Sequence, residues 1–514
     1  TLGAGHYTVS GGTGNDSIKA GSGDVVITGK GGDDNITLGS GSATVFGGTG
    51  NDNITAGAGS AVISGGGGQD VIIATKAATD TTKYTITGGS SADSITVGQG
   101  NFTIDAGTGS GIDTITVTGA TANSHYDIIG GTQNNMTLEL GHYSVVGGDG
   151  NDSITVAGSG NVNIALGAGN NTITASKESV YTVYNISAGG GLTDNDTINV
   201  GNGNGTIDLT VGGQVNSAQI TVNATDAASR YLITGAVSND IKLGAGSYVV
   251  TGGTGVDTIT AGSGNAVINA LDGNNKIYAQ KGNANSSYTI TTGSGDDEVS
   301  ITQGNATVAL GTGSNNLTVT NGVSSNKYVI TAGDAGNGTD KDTISLGDGH
   351  GTVDLSVGAN VSEAVINVTA KDINSAYTIT GGTVNKIDLG AGRYSVSGGS
   401  GKDTITAGSG DATIFGNGGN DSITLGSGSA VVTTGAGDDT IMAGSGAATI
   451  TGDGGKDVIT ATSAATDTTK YSITGGAAGD SITVGKGSFI IDAGAGTDID
   501  TISVIGATTN STYV

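Results

Sequence analysis

Proline, cysteine and tryptophan are absent from this chain, and aromatic residues make up only 4% of it. Without cysteine there can be no disulfide and no thiolate metal site. Without proline, almost every residue keeps a backbone N–H to give to a ladder or a tight turn. Basic residues are scarce: 18 Lys and Arg stand against 45 Asp and Glu, for a net charge of −27. That balance argues against nucleic acid as a partner. Glutamate is scarce too, limited to Glu139, Glu178, Glu298 and Glu363. The rest of the acid is Asp, whose short side chain holds a carboxylate close to the backbone, as hard-cation sites require. No apolar run approaches the roughly 18 residues of a membrane helix, so membrane insertion is not expected.

What is present is glycine, 99 of 514 residues, together with 35% hydrophobic residues. A disordered Gly-rich linker would bring proline and lose its apolar residues. Here the apolar residues recur at fixed spacing. Cut into nines, residues 11–73 fall into two alternating classes. The first reads GGTGNDSIK (11–19), GKGGDDNIT (29–37), GGTGNDNIT (47–55) and GGGGQDVII (65–73). The second reads AGSGDVVIT (20–28), LGSGSATVF (38–46) and AGAGSAVIS (56–64).

The unit is therefore about 18 residues, two half-turns of different chemistry. Each half predicts a Gly-rich turn and a short strand of about three residues. Position eight points inward: Ile18, Ile36, Ile54 and Ile72 in one sheet, Ile27, Val45 and Ile63 in the other. One turn cannot bury its apolar row alone, so successive turns must stack. The expected fold is all-β: a parallel β-solenoid of about 18 residues per turn and roughly 25 turns, continuous over 1–514. Longer second halves carry a Tyr-x-Ile strand, as at Tyr84–Ile86, Tyr126–Ile128, Tyr231–Ile233 and Tyr471–Ile473. Residues 388–514 align without gaps on 1–127, so 1–387 reads as one long repeat period and 388–514 as the start of a second. The chain begins and ends in mid-repeat, as a segment of a longer protein would.

Position six of the first class reads Asp16, Asp34, Asp52, Asp70, Asp93 and Asp113, and again Asp403, Asp421, Asp439, Asp457, Asp480 and Asp500. Between these runs Asp152, Asp196, Asp257, Asp297 and Asp342 are separated by Asn134, Asn171, Asn239, Asn275, Asn316 and Asn385, with Ala218 and Ala364. Stacked turns would line these carboxylates up about 5 Å apart, where two charges repel by about 3 kcal/mol at an effective dielectric of 20. A divalent cation between neighbouring turns removes that repulsion, and carboxylate plus backbone carbonyl is a ligand set suited to Ca²⁺. Metal is expected on the two contiguous runs. The isolated Asp residues are weaker candidates, with sparse or no calcium over 128–385. A competing reading makes these residues ordinary turn aspartates bonded to their own backbone.

GGTGNDSIK and GGTGNDNIT resemble the nonapeptide GGxGxDxUx of the RTX (repeats-in-toxin) family. The resemblance implies a right-handed parallel β-roll, Ca²⁺ held between turns by the Asp and turn carbonyls, type I secretion, and folding triggered by extracellular calcium. One departure is clear. Family members carry Asp on both edges, whereas position six of the second class is Val25, Ala43, Ala61, Phe102, Ala266 or Ala412. The second edge should be dry.

No Walker loop, nucleophile elbow or zinc-protease motif is present. His6, His125, His142 and His350 read as varying surface residues. The functional expectation is non-enzymatic: a secreted calcium-binding structural or adhesive segment at a bacterial cell surface, similar to the repeat regions of RTX adhesins, surface layers or filaments. Its partners would be calcium ions and further copies of itself in a filament or lattice, or a cell surface or glycan. Two alternatives stand beside it. One is the calcium-binding tail of an exported enzyme or toxin. The other is an ice-binding or glycan-binding face built on Thr37, Thr55, Thr96, Thr116, Thr155, Thr174 and Thr260.

Overall fold

A computed structural model describes residues 1–175, 182–191, 193–210, 215–333, 340–356 and 361–514. The chain divides into two compact units, Thr1–Gly253 and Thr254–Val514. Each is a parallel β-solenoid, and the two hold about 25 turns of about 19 residues. No helix occurs among the described residues.

In the first unit each turn gives one strand to each of two sheets. Ser17–Lys19, Asn35–Thr37, Asn53–Thr55 and Val71–Ala74 pair in sequence as parallel neighbours. Their Ile18, Ile36, Ile54 and Ile72 stand in register. The other sheet stacks Tyr7–Ser10, Val25–Gly31, Ala43–Thr49 and Ala61–Gly67, with Val9, Ile27, Val45 and Ile63 in register. Both sheets continue in this way to Ser238–Leu243 and Ser247–Thr251. The second unit repeats the scheme, ending at Thr501–Val504 and Thr512–Tyr513.

The inward row at position eight is buried as the spacing predicts: Ile36, Ile54 and Ile72 are wholly inaccessible. Each such side chain contributes about 1.5–3 kcal/mol on burial. Two features differ from the expectation. Strands of the second sheet run to seven residues in Val25–Gly31 and eight in Asp411–Gly418, because they carry on into the Gly-rich segment of the next half-turn. Inward-facing positions are also three per half-turn, not one. Period two continues through positions six, eight and one, so Val25, Ile27 and Gly29 are all buried. Position six is therefore a core position on both edges.

On the second edge that position is occupied by rings wherever it is not Ala, Val or Gly. Tyr84, Phe102, Tyr126 and Tyr143 stack at centroid distances of 4.8, 5.5 and 5.0 Å. In the second unit Tyr471, Phe489 and Tyr513 do the same at 4.9 and 5.5 Å. The hydroxyls are buried and donate to backbone carbonyls, Tyr84 to Gly57 at 2.8 Å and Tyr126 to Gly98 at 2.6 Å. Stacked rings on successive turns fill this end of the core.

Candidate metal edge

The first edge is built around position six. Each Asp there sits at the end of a Gly-rich turn and just before a strand of the first sheet, so its side chain points inward with the Ile two residues later. Asp34, Asp52, Asp70, Asp93 and Asp113 are at most 2% exposed. In the second unit Asp403, Asp421, Asp439, Asp457 and Asp480 are buried to the same degree. Asp16 and Asp500, at the outer ends of these runs, are only partly covered.

One carboxylate oxygen of each residue is accounted for. The backbone N–H of Asp16 donates to Oδ1 of Asp34, that of Asp34 to Oδ1 of Asp52, and that of Asp52 to Oδ1 of Asp70, each at 2.8 Å. The ladder runs on to Asp93 and Asp113. It recurs from Asp403 through Asp421, Asp439, Asp457 and Asp480 to Asp500 at 2.7–2.9 Å. From Asp34 to Asp113 and from Asp421 to Asp500 these residues thus bond the backbone of the preceding turn, whereas Asp16 and Asp403, which open the two runs, accept through Oδ2 from the N–H of Gly12 and Gly399 in their own turns, at 2.6 and 2.8 Å.

Inside each run the other oxygen is not accounted for. Oδ2 of Asp34, Asp52, Asp70, Asp93 and Asp113 is buried with no hydrogen-bond partner, and so is Oδ2 of Asp421, Asp439, Asp457 and Asp480. A Cβ at Gly29 would collide with both Oδ2 of Asp34 and the carbonyl oxygen of Gly47, so two acceptors converge on one small space. A Cβ at Gly47 would meet Oδ2 of Asp52 and the carbonyl oxygen of Gly65 in the same way. Burying an unpaired carboxylate costs several kcal/mol. Acceptors facing acceptors call for a positive centre, and oxygen-only donors suit Ca²⁺. The residues present fit that ion. Among the described residues no three His, Asp or Glu side chains converge on one point, so an ion here would draw its remaining ligands from backbone carbonyls.

The electrostatics agree. Burial pushes the Asp70, Asp421 and Asp457 carboxyls up to about 7, the ladder N–H opposes this, and the carboxylates on adjacent turns push further upward. Burial raises Asp52, Asp113, Asp403, Asp439 and Asp480 as well. Asp93 rises to about 6, again chiefly by desolvation, with Asp113 adding to it. All are carboxylates in want of a counter-charge.

The isolated aspartates occupy the same column. Asp152, Asp196, Asp257, Asp297 and Asp342 are buried, and Oδ2 of Asp152, Asp196 and Asp297 meets no donor, as in the runs, but their described neighbours along the ladder are Asn or Ala. Asp152 and Asp196 are pushed to about 6 by burial, and amide hydrogen bonds from Asn134 and Asn171 pull them back down. One assignment requires correction. The column residue between Asp297 and Asp342 is Asn315, not Asn316: the N–H of Asp297 donates to Oδ1 of Asn315, which is buried, while Asn316 opens the next strand on its exposed face. The turn there has no extra residue, and counting back two from the inward Leu317 would have found it.

On the second edge Val25, Ala43, Ala61, Phe102, Ala266 and Ala412 all point into the core, and among the described residues no carboxylate shares their column. Sequence reading missed that Tyr143, Tyr184, Tyr248 and Tyr394 belong to this column too, although their Tyr-x-Val or Tyr-x-Ile pattern gave the signal. The threonines form an outer row on the first sheet, with Thr96, Thr116, Thr137, Thr155 and Thr174 on consecutive turns, all half-buried except the exposed Thr137. His125 and His142 lie side by side at 4.9 Å, and His6 pairs with Asp24 at 3.4 Å on the surface.

Residues 10–45, 39–72, 251–284, 397–432 and 433–463 match the family described as the RTX calcium-binding nonapeptide repeat (4 copies). Comparison with curated proteins and with solved structures finds no match.

Proposed function

Because the chain carries RTX calcium-binding nonapeptide repeats, we propose that it is a secreted, calcium-riveted structural segment of a bacterial cell-surface protein. Ca²⁺ would sit between successive Asp-bearing turns within 16–113 and within 403–500, held by the position-six carboxylates and by turn carbonyls. The observation that supports this most directly is the row of buried Oδ2 atoms without donors, one on each of several consecutive turns. Bound calcium supplies positive charge to that row. The chain's own part is to hold Oδ1 in the ladder, keep Oδ2 dry, and bring the next turn's carbonyl alongside it.

Coupling to export follows from mass action. An ion that binds only the folded chain stabilises that chain in proportion to its concentration. Millimolar calcium outside a cell would favour folding, and low calcium inside would not. A parallel β-solenoid in each unit and a long internal duplication support an adhesive or lattice-forming scaffold rather than a catalyst. Self-association through the solenoid's open strand edges is part of this proposal. The experiment is a calcium titration followed by circular dichroism and calorimetry, with magnesium as control. A gain of β-structure specific to calcium supports the reading, and indifference to both ions removes it.

A second reading attaches to the consecutive threonines Thr96 to Thr174. Such a row of hydroxyls and methyls is a surface for ice or glycan. Ice-recrystallisation and glycan-array assays on the calcium-loaded chain test it, and a negative result in both leaves the scaffold role.

A further inference from the structure

We infer that the asparagines of the position-six column take the place of the metal on their own turns, so that the middle of the chain depends far less on calcium to close its turns than the two flanking Asp runs do. This rests on the calcium reading above and concerns which turns obey it. Between Asp113 and Asp403 no two consecutive position-six residues are both Asp: every carboxylate is followed by Asn or Ala, so the orphaned Oδ2 atoms of Asp152, Asp196 and Asp297 never stand on adjacent turns. The six asparagines behave alike. Asn134, Asn171, Asn239, Asn275, Asn315 and Asn385 each donate from Nδ2 to the carbonyl of the second residue of their own turn: Gly131, Gly167, Ala236, Leu271, Gly311 and Gly382, at 3.1–3.3 Å.

Further bonds complete the substitution. Asn171, Asn275 and Asn315 also donate to the carbonyls of Gly169, Gly273 and Gly313 at 3.0–3.1 Å. Asn134 donates to the carbonyl of Gly147 on the next turn at 2.9 Å and to Oδ1 of Asp152 at 2.7 Å. Asn385 likewise donates to Oδ1 of Asp403 at 2.7 Å. The amide nitrogen of Asn134 and the orphaned Oδ2 of Asp34 occupy the same place. Each lies against the first glycine of its turn, Gly130 or Gly29, and each faces the next turn's first carbonyl, Gly147 or Gly47. Where the residue is Asp, that place holds an acceptor among acceptors. Where it is Asn, it holds two N–H donors. The amide supplies the positive edge that the ion supplies elsewhere, at no net charge.

Hydrogen exchange on the full chain, read by mass spectrometry with calcium and with chelator, tests this, alongside isothermal titration for ions bound. In chelator, the strands Thr172–Ala175, Lys276–Ala279 and Asn316–Val319 should stay protected by at least about 100-fold over Asn35–Thr37, Asn53–Thr55 and Ser422–Thr424, with calcium raising only the latter group. Asn275→Asp places carboxylates on the turns of Asp257, 275 and Asp297. It should lower metal-free protection of Lys276–Ala279 about tenfold or more, restore it with calcium, and add bound calcium. Asp52→Asn should remove bound calcium yet raise metal-free protection around Asn53–Thr55, whereas Asp52→Ala should not raise it. Calcium uptake accompanied by equal metal-free exchange in all strands overturns the inference alone. So does an Asn275→Asp chain that gains no calcium, or an Asp52→Asn chain that behaves like Asp52→Ala. A wild-type chain that takes up no calcium and keeps every strand protected in chelator overturns the calcium reading itself.

Discussion

The backbone N–H of Asp34 donates to Oδ1 of Asp52 one turn along, at 2.8 Å, while Oδ2 of Asp52 is buried and meets no donor. The first half of that relationship belongs to the fold, and the second half is what the proposed ion would satisfy. A side chain at this position therefore has two separable jobs, and substitutions can remove one or both.

Replacing Asp34 and Asp52 together by Ala removes both. The ladder loses two side-chain acceptors, at roughly 1 kcal/mol each, and two adjacent turns lose their carboxylates. The melting temperature in calcium should fall, and the gap between melting with calcium and melting with chelator should narrow. Differential scanning calorimetry in both buffers checks this. An unchanged gap would mean these two residues do not bind the ion that stabilises the chain.

The raised carboxyls make the metal-free chain pH-sensitive in a definite direction. Asp70, Asp421 and Asp457 titrate near 7 when folded, against 3.8 for the ordinary carboxyl. Between those values the folded chain binds more protons than the unfolded chain, so its stability falls as pH rises. In chelator the chain should be more stable at pH 5 than at pH 8, as denaturant melts at the two values would show. Calcium binding needs the ionised form, so calcium affinity should run the other way and weaken from pH 8 to pH 5.

Phe102 tests the second edge. It is fully buried, with Tyr84 at 4.8 Å on one side and Tyr126 at 5.5 Å on the other. Phe102→Ala leaves a ring-sized gap and should cost about 3–5 kcal/mol. Calcium stoichiometry, measured by titration calorimetry in the folded variant, should stay as in the wild type, because no carboxylate shares that column.

Lys30 occupies the second position of its turn with φ at +88°, a left-handed conformation that Gly48 and Gly66 take at the same position of the next turns. Lys30→Gly should be neutral or stabilising by up to about 1 kcal/mol, the relief of strain being partly offset by lost backbone entropy. Lys30→Val should destabilise by more than 1 kcal/mol or so, since a β-branched residue tolerates that φ least. Thermal melts of the two variants compare directly.

The solenoid was legible because Ile36, Ile54 and Ile72 recur at one spacing and period two places them on one face. The same spacing put Asp34, Asp52 and Asp70 in one column. It did not say that the column is buried, because a residue in a Gly-rich turn reads as surface until the strand's alternation is carried back to position six. The tyrosines at 143, 248 and 394 were missed for a related reason: their turns are short, so they lack the insertion that marks Tyr84 and Tyr126. Asn315 was displaced to Asn316 because two asparagines stand together and only the inward Leu317 distinguishes them. The hydrogen bonds of the Asn side chains lie beyond sequence reading altogether, since they depend on where the turn carbonyls point.

The central claim is that the unpartnered carboxylate oxygens of the two Asp runs bind calcium and make folding depend on it. The most direct measurement is an isothermal titration of the chelator-treated full chain with calcium, and separately with magnesium, with circular dichroism read on the same samples. Several calcium ions bound per chain, with β-structure and melting temperature rising together and magnesium without effect, is the predicted result. A chain equally folded and equally stable in chelator at pH 8, taking up no calcium, would contradict it.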